Sequence, residues 1–197
     1  MSAMKSPARF VLLAPVLLLG GCLSFGSEPP ESLLTLTPTT TAPAGTGGSS
    51  DGSSALALVE FDAPRSLDVT RVPVQVTDTE LAYLKDAVWV EKPARLFRRL
   101  IAETIRTRSN RVVIDGDDPG ALVTNRLSGT LRQFGYDARS SSVVVVFDAV
   151  RPGESSGVET RRFEAVVSGV AARADSVGPA LNQAANDVAG QVADWVS

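Results

Sequence analysis

Few residues of this chain are equipped for covalent or acid-base chemistry, because it has no histidine and a single cysteine, Cys22. Without imidazole there is neither a Ser-His-Asp relay nor a His-ligated metal centre, and one thiol cannot form a disulfide within the chain. The sequence holds no G-x-x-x-x-G-K-[ST] phosphate loop, no G-x-G-x-x-G turn and no C-x-x-C pair. Lys85 and Lys92 are the lysines beyond the first segment, and neither has a serine nucleophile motif around it. Asp115, Asp117 and Asp118 carry oxygens that suit a hard cation. Their D-G-D-D-P-G setting lacks the ligand spacing and terminal glutamate of an EF-hand, so it reads as a charged turn. No catalytic set, metal site or cofactor is expected, and the chain is not read as an enzyme.

The lone thiol sits in an informative place. Lys5 and Arg9 precede an apolar run from Phe10 to Leu19, too short to span a bilayer, which ends in Gly20, Gly21 and Cys22. Leu19-Gly20-Gly21-Cys22 resembles the bacterial lipoprotein signal, in which small residues admit the backbone to a protease and the cysteine thiol is alkylated. That resemblance implies lipidation at Cys22, which becomes the first residue of the mature protein and carries diacylglyceryl and amide-linked acyl chains such as palmitate. A buried small side chain at Cys22, or a signal cut elsewhere, is the plainer alternative. At about 0.8 kcal/mol per buried methylene, several acyl chains anchor a protein durably without spanning. Residues 1–21 are thus read as signal peptide, 22–31 as lipidated cysteine and tether, and 32–197 as the folded domain. Leu23 is not the aspartate associated with inner-membrane retention, so the resemblance implies the periplasmic face of the outer membrane. The tether reaches roughly 30 Å at about 3.3 Å per residue, so the domain stays near its own membrane.

The 197 residues are 44% hydrophobic and 21% charged, which is ordinary globular usage. The net charge is -3, and removal of Lys5 and Arg9 with the signal leaves 17 basic against 22 acidic side chains. An acidic chain has no global field to attract nucleic acid, which is excluded as an expected partner.

Ser32 to Pro38 reads as a short strand closed by proline. Residues 39–54 are built almost wholly of Thr, Ala, Gly, Ser and Pro, and read as a mobile loop or as more linker. Ala55 to Phe61, Asp68 to Val76, Leu81 to Val90, Arg111 to Asp115, Ala121 to Asp137, Ser142 to Val150 and Glu159 to Val167 carry strand signals. In the fifth of these, Leu127, Gly129, Leu131, Gln133 and Gly135 are assigned to one side. The Val143 to Phe147 run predicts a strand covered on both faces. From Pro93, Leu96, Phe97, Leu100, Ile101, Thr104 and Ile105 recur at helical steps, and a second amphipathic helix runs from Val177 to Trp195. Neither helix can hide its stripe alone. The expected fold is α+β, a mainly antiparallel sheet with two long amphipathic helices on one face.

Lys92 to Arg108 has six basic residues and one acid, with Arg95, Arg98, Arg99 and Arg106 away from the apolar stripe. Such a run is usually a solvated face whose stems cover apolar atoms. The sharper reading makes these four arginines a contact for an acidic partner or lipid headgroups. Trp89 and Trp195 read as core or core-edge residues, with interface anchoring as the alternative.

In their order, several features resemble the ABC-type transport auxiliary lipoprotein family, small lipoproteins associated with MlaD/Mce-type lipid transport. They are Cys22, Leu33-Leu34-Thr35-Leu36-Thr37-Pro38, Leu81-Ala82-Tyr83 through Ala87-Val88-Trp89, and P-A-R-L-F-R-R-L-I from Pro93. Strands ending near Phe147 and Phe163 and the closing Asp194-Trp195-Val196 complete them. The resemblance implies a non-catalytic periplasmic component of an envelope phospholipid transporter, contacting a membrane-anchored Mce-domain protein and compatible with a homo-oligomer. Two other classes stay open: a structural lipoprotein of an envelope or secretion complex, and a periplasmic lipid or solute carrier with an enclosed apolar cavity.

Overall fold

A computed structural model describes residues 32–48, 54–109, 111–116, 123–153 and 157–197. The elements run β1 (Leu56–Asp62), β2 (Arg71–Gln75), β3 (Leu81–Val88), α1 (Pro93–Arg108), β4 (Val113–Asp115), β5 (Asn125–Asp137), β6 (Ser142–Pro152), β7 (Val158–Ser168) and α2 (Ala174–Val196). Cys22 and, in the charged turn, Asp117 and Asp118 lie outside the described residues.

The α+β class and the two helices on one side agree with the sequence pattern, whereas the expected mainly antiparallel sheet is corrected to a mixed one. Along the row β3-β2-β5-β1-β4, β1 pairs parallel with both β4 and β5, β2 pairs parallel with β5, and β2 with β3 is the one antiparallel pairing. An antiparallel meander from β5 through β6 to β7 extends the sheet. The physical reason is that β5 has two neighbours in succession on one edge. Asn125 to Thr130 lie beside β1, while Tyr136 and Asp137 lie beside β2, leaving the other edge to β6. Side-chain alternation reports which face is buried but not which direction a neighbour runs.

One extra residue in β5 changes the assignment of its faces. Leu131 stands opposite Phe147 and Gln133 opposite Val146, so the bulge falls at Arg132. Leu127 and Leu131 therefore share the core face with Phe134 and Tyr136, all buried, rather than with Gln133 and Gly135. In β6 the core side holds Val143, Val145, Phe147 and Ala149, and on the opposite side Val146 is also buried. The first apolar segment, read as a strand, contributes one bridge from Leu34 to Trp89.

Pro93 opens α1 at its first position, where the missing N–H costs nothing. This helix lies over β1 and β4, α2 lies over β6 and β7, and the helices pack on each other. Between the layers, Phe97 of α1 meets Phe147 at 5.3 Å and Phe134 at 6.1 Å between ring centroids. Phe61 stacks against Phe147 at 4.6 Å, and Trp89 against Phe134 at 5.5 Å. Trp195 packs on Phe163 at 5.6 Å under the Arg151 guanidinium, so both tryptophans occupy the core or its edge.

Deleting Arg132 removes the extra residue and is expected to leave Phe134 and Tyr136 on the core face in unbroken alternation, with the same β6 partners and cooperative unfolding retained, whereas Arg132→Ala keeps the bulge and costs less than about 1 kcal/mol. Urea titrations followed by tryptophan fluorescence check both.

Candidate functional site

The four arginines selected from the sequence project from α1 but do not form one free basic surface. Arg98 is buried, with Nε 2.9 Å from Asp115 Oδ1, and this contact pins α1 to β4. Arg99 pairs with Glu91 at the entrance to the helix. Arg106 pairs with Glu103 at 3.1 Å and donates to the Val113 carbonyl at 3.2 Å. Arg95 is exposed and makes no ion pair with a described residue. It lines an open cleft of about 250 Å³ with Lys92, Glu60, Asp62 and Asp68, where Lys92 already pairs with Asp68 at 2.6 Å. Of the four, Arg95 alone faces solvent uncommitted to an acid among the described residues.

The apolar segment at Leu34–Pro38 and the Thr-rich residues after it form a strap across the outside of the helical layer. The Leu34 N–H donates to the Val88 carbonyl at 2.7 Å and the Val90 N–H donates back at 2.9 Å. Gly178 of α2 makes room for Leu34, since a Cβ there would stand 2.8 Å from its Cδ2. Farther along, the Thr37 N–H donates to Asn182 Oδ1 at 2.8 Å and the Thr39 N–H to Asn186 Oδ1 at 2.9 Å. Asn186 Nδ2 returns a bond to the Thr37 carbonyl at 2.9 Å, and the Ala42 N–H reaches Glu103 of α1 at 2.7 Å. Asn182 and Asn186 are one helical turn apart on the polar side of α2, and together they satisfy the backbone of a segment over 140 residues away. Two asparagines one helical turn apart were the signal available in the sequence.

Between strap and α1 lies an open groove of about 350 Å³, with Leu36, Leu96 and Leu100 beside Arg99, Glu103 and Arg106. The space between sheet and helices is filled by the aromatic rings described above. Among the described residues, no group of three or more His, Cys, Asp or Glu side chains is placed to hold a metal ion. No helix among them is long and apolar enough to cross a membrane.

The opposite sheet face carries a charge cluster that sequence reading missed, because its members are 16 and 14 residues apart. Asp148 accepts from Arg162 at 2.6 and 2.9 Å and from Arg132 at 2.8 Å. The Arg162 bonds, reinforced by those of Arg132, hold the Asp148 carboxyl down to about 2 against the opposing effect of partial desolvation. Asp137 is likewise lowered to about 2, chiefly by Arg139.

The family model described as "ABC-type transport auxiliary lipoprotein component" matches residues 34–193. No curated protein matches the chain. A crystal structure of the Xanthomonas campestris protein XCC0632 is similar at a TM-score of 0.66 and 20% identity, covering 83% of this chain and 92% of that one. An uncharacterized protein of known crystal structure is similar at a TM-score of 0.64 and 12% identity, covering 84% and 100% respectively. A PelC dodecamer from Paraburkholderia phytofirmans reaches a TM-score of 0.42 at 14% identity over 77% of this chain and 95% of that chain, too loose to bear on assembly. At these identities the structural likenesses establish the fold.

Because the folded pKa values of Asp137 and Asp148 lie below the ordinary value of 3.8, their contribution to stability is complete above that value and is lost as pH falls toward about 2. Asp148→Asn is expected to flatten the acid limb of the stability profile, measured by urea midpoints between pH 5 and about 2.

Proposed function

The chain belongs to the ABC-type transport auxiliary lipoprotein family, and from that premise we propose that it serves an MlaD/Mce-type phospholipid transport system of the cell envelope. The family makes it a non-catalytic auxiliary component that acts through protein contacts; ATP hydrolysis belongs to a separate cytoplasmic subunit. In this reading the acylated Cys22 holds the domain at the periplasmic face of the outer membrane, and an Mce-domain protein is its direct partner. Homo-oligomer formation belongs to the same proposal.

The observation that carries the reading is the family match across residues 34–193, which begins where the strap enters the fold and ends within α2. The packed aromatic interior supports contact rather than carriage. A carrier needs an apolar chamber between its layers, and Phe61, Phe97, Phe134 and Phe147 occupy that space here. The open groove beneath the strap has charged groups among its lining residues.

Affinity purification of the tagged full chain from its native membranes is expected to recover an Mce-domain protein with a permease and an ATPase. Recovery of secretion or assembly subunits without any Mce-domain protein would overturn the proposal. Cys22→Ser is expected to abolish acyl mass in intact-protein mass spectrometry and to release the protein from the membrane fraction.

A further inference from the structure

Edge strands expose a row of backbone donors and acceptors, and proteins ordinarily blunt them with bulges, prolines, charged side chains or short length. β3 is blunted in this way: its pairing with β2 shifts register, Asp86 adopts a positive φ of 57°, and Lys85 is exposed. β4 is three residues long. β7 is different. Its eleven residues pair with β6 without a register shift and include no proline or glycine. Its four charged side chains, Glu159, Arg161, Arg162 and Glu164, are of both signs, so they protect the edge against a neighbour of like charge but not against a complementary one. Two of the exposed large apolar side chains of the described residues, Val158 and Val166, stand on it at 71% and 50% exposure.

The orientation of the open groups follows from the hairpin. The Gly153 N–H donates to the Gly157 carbonyl at 2.9 Å, which makes Arg151 with Glu159, Phe147 with Phe163 and Val143 with Val167 hydrogen-bonded pairs. Residues 158, 160, 162, 164, 166 and 168 therefore direct N–H and C=O away from β6. The Glu164 carbonyl shows this directly, since Gln191 of α2 reaches it at 3.2 Å.

We propose that β7 pairs antiparallel with β7 of a second copy about a two-fold axis at Phe163, joining two sheets into one. Outward groups sit at even positions, so self-pairing must place even residues opposite even residues, and charge then selects the register. An axis at Arg162 or Glu164 sets like charges face to face. An axis at Phe163 sets Arg162 opposite Glu164 of the second copy, twice, with Thr160 opposite Val166 and Val158 opposite Ser168. Opposite charges directly across strands stabilise a pair and like charges destabilise it. In this register the two exposed valines gain cross-strand neighbours, the Phe163 side chains meet on the helix side, and Gln191 swings off the Glu164 carbonyl. This deepens the homo-oligomer of the preceding reading by naming its surface and symmetry, and it is independent of the transporter partner.

Sedimentation equilibrium of the processed lipoprotein in density-matched detergent tests the pairing, with circular dichroism confirming that each variant is folded. The wild type is expected at twice the chain mass. Arg162→Glu and Glu164→Arg are each expected to weaken the dimer about tenfold or more, and the double exchange R162E/E164R to restore it, because opposite charges again face each other. Thr160→Pro, which removes an outward donor without touching the β6 ladder, is expected to weaken it similarly. A monomeric wild type overturns both the pairing and the homo-oligomer. An oligomer of any size that ignores the single charge reversals, or one that the double exchange fails to restore, overturns the pairing alone.

Discussion

β5 is the constraint on which the rest of the structure depends. A thirteen-residue strand flanked on both edges must satisfy its backbone along its length, and no single neighbour here is long enough on the inner side. The chain meets this with two strands laid in succession, β1 and then β2, both running parallel to β5. Parallel neighbours need crossover connections, and the connection from β1 to β5 contains β2, β3, α1 and β4. That route carries α1 across the sheet, which puts Phe97 over Phe134 and Phe147. The bulge at Arg132 makes the long strand workable, because it keeps Phe134 and Tyr136 on the same face as Leu127 and Leu131 while β5 passes from one neighbour to the next.

Around this sheet the arginines act mainly as clamps. α2 has no basic residue in its last turn, yet two of its C-terminal carbonyls are met by arginines from elsewhere in the chain, and a third arginine reaches it earlier, at Gly190. Arg111 donates to the Val196 carbonyl at 2.6 Å, Arg151 donates to that of Trp195, and Arg108 approaches Gly190 and Asp194. Cations at a helix C-terminus are favoured by the dipole and by the unsatisfied carbonyls together, and a planar fork can satisfy several acceptors at once. Arg98, Arg106, Arg132 and Arg162 do comparable work between β4, α1 and the outer sheet face. The basic run of α1 is therefore largely neutralised within the fold.

The helices were legible because an apolar stripe at three- and four-residue steps has one reading, and α1 begins at Pro93 as that pattern indicates. Strand existence was legible for the same reason. Strand direction was not: Leu56, Leu58 and Phe61 would be buried whether β1 ran with β5 or against it. The sides of β5 were misread because a bulge leaves no mark on a two-residue period except a change of phase, and Leu131 followed by Phe134 was that change. The strap was hidden for another reason. Thr37 and Thr39 are held through their backbone, so the Asn182 and Asn186 amides that bind them depend on position rather than on the strap's residue types. The basic composition of α1 was readable, but apart from Glu103 the acids that neutralise it, Asp68, Glu91, Asp115 and Asp194, lie outside the helix.

A domain whose interior is filled with aromatic rings acts through its surfaces, and the fold has already committed several of them. Part of the outer helical layer lies beneath the strap, whose bonds join both helices to the segment that leads back toward Cys22. The end of α2 is closed by arginines, and the β3 edge is broken by its own irregular pairing. Among the described residues, the outer face of β5, β6 and β7, with Val166 and the Arg132–Asp148–Arg162 cluster, is left uncovered, and the β7 edge is touched by Gln191 at Glu164. Val158 and Val166 depart from the polar outer positions expected of a solvated sheet face, and the Arg132–Asp148–Arg162 cluster sets charge beside them. The strap lies on the helical side of the sheet, so a partner approaching this outer face would meet a surface the strap does not cover. The strap and this outer face therefore lie on opposite sides of the sheet, so the segment leading toward the N-terminus and the uncovered strands do not compete for the same surface.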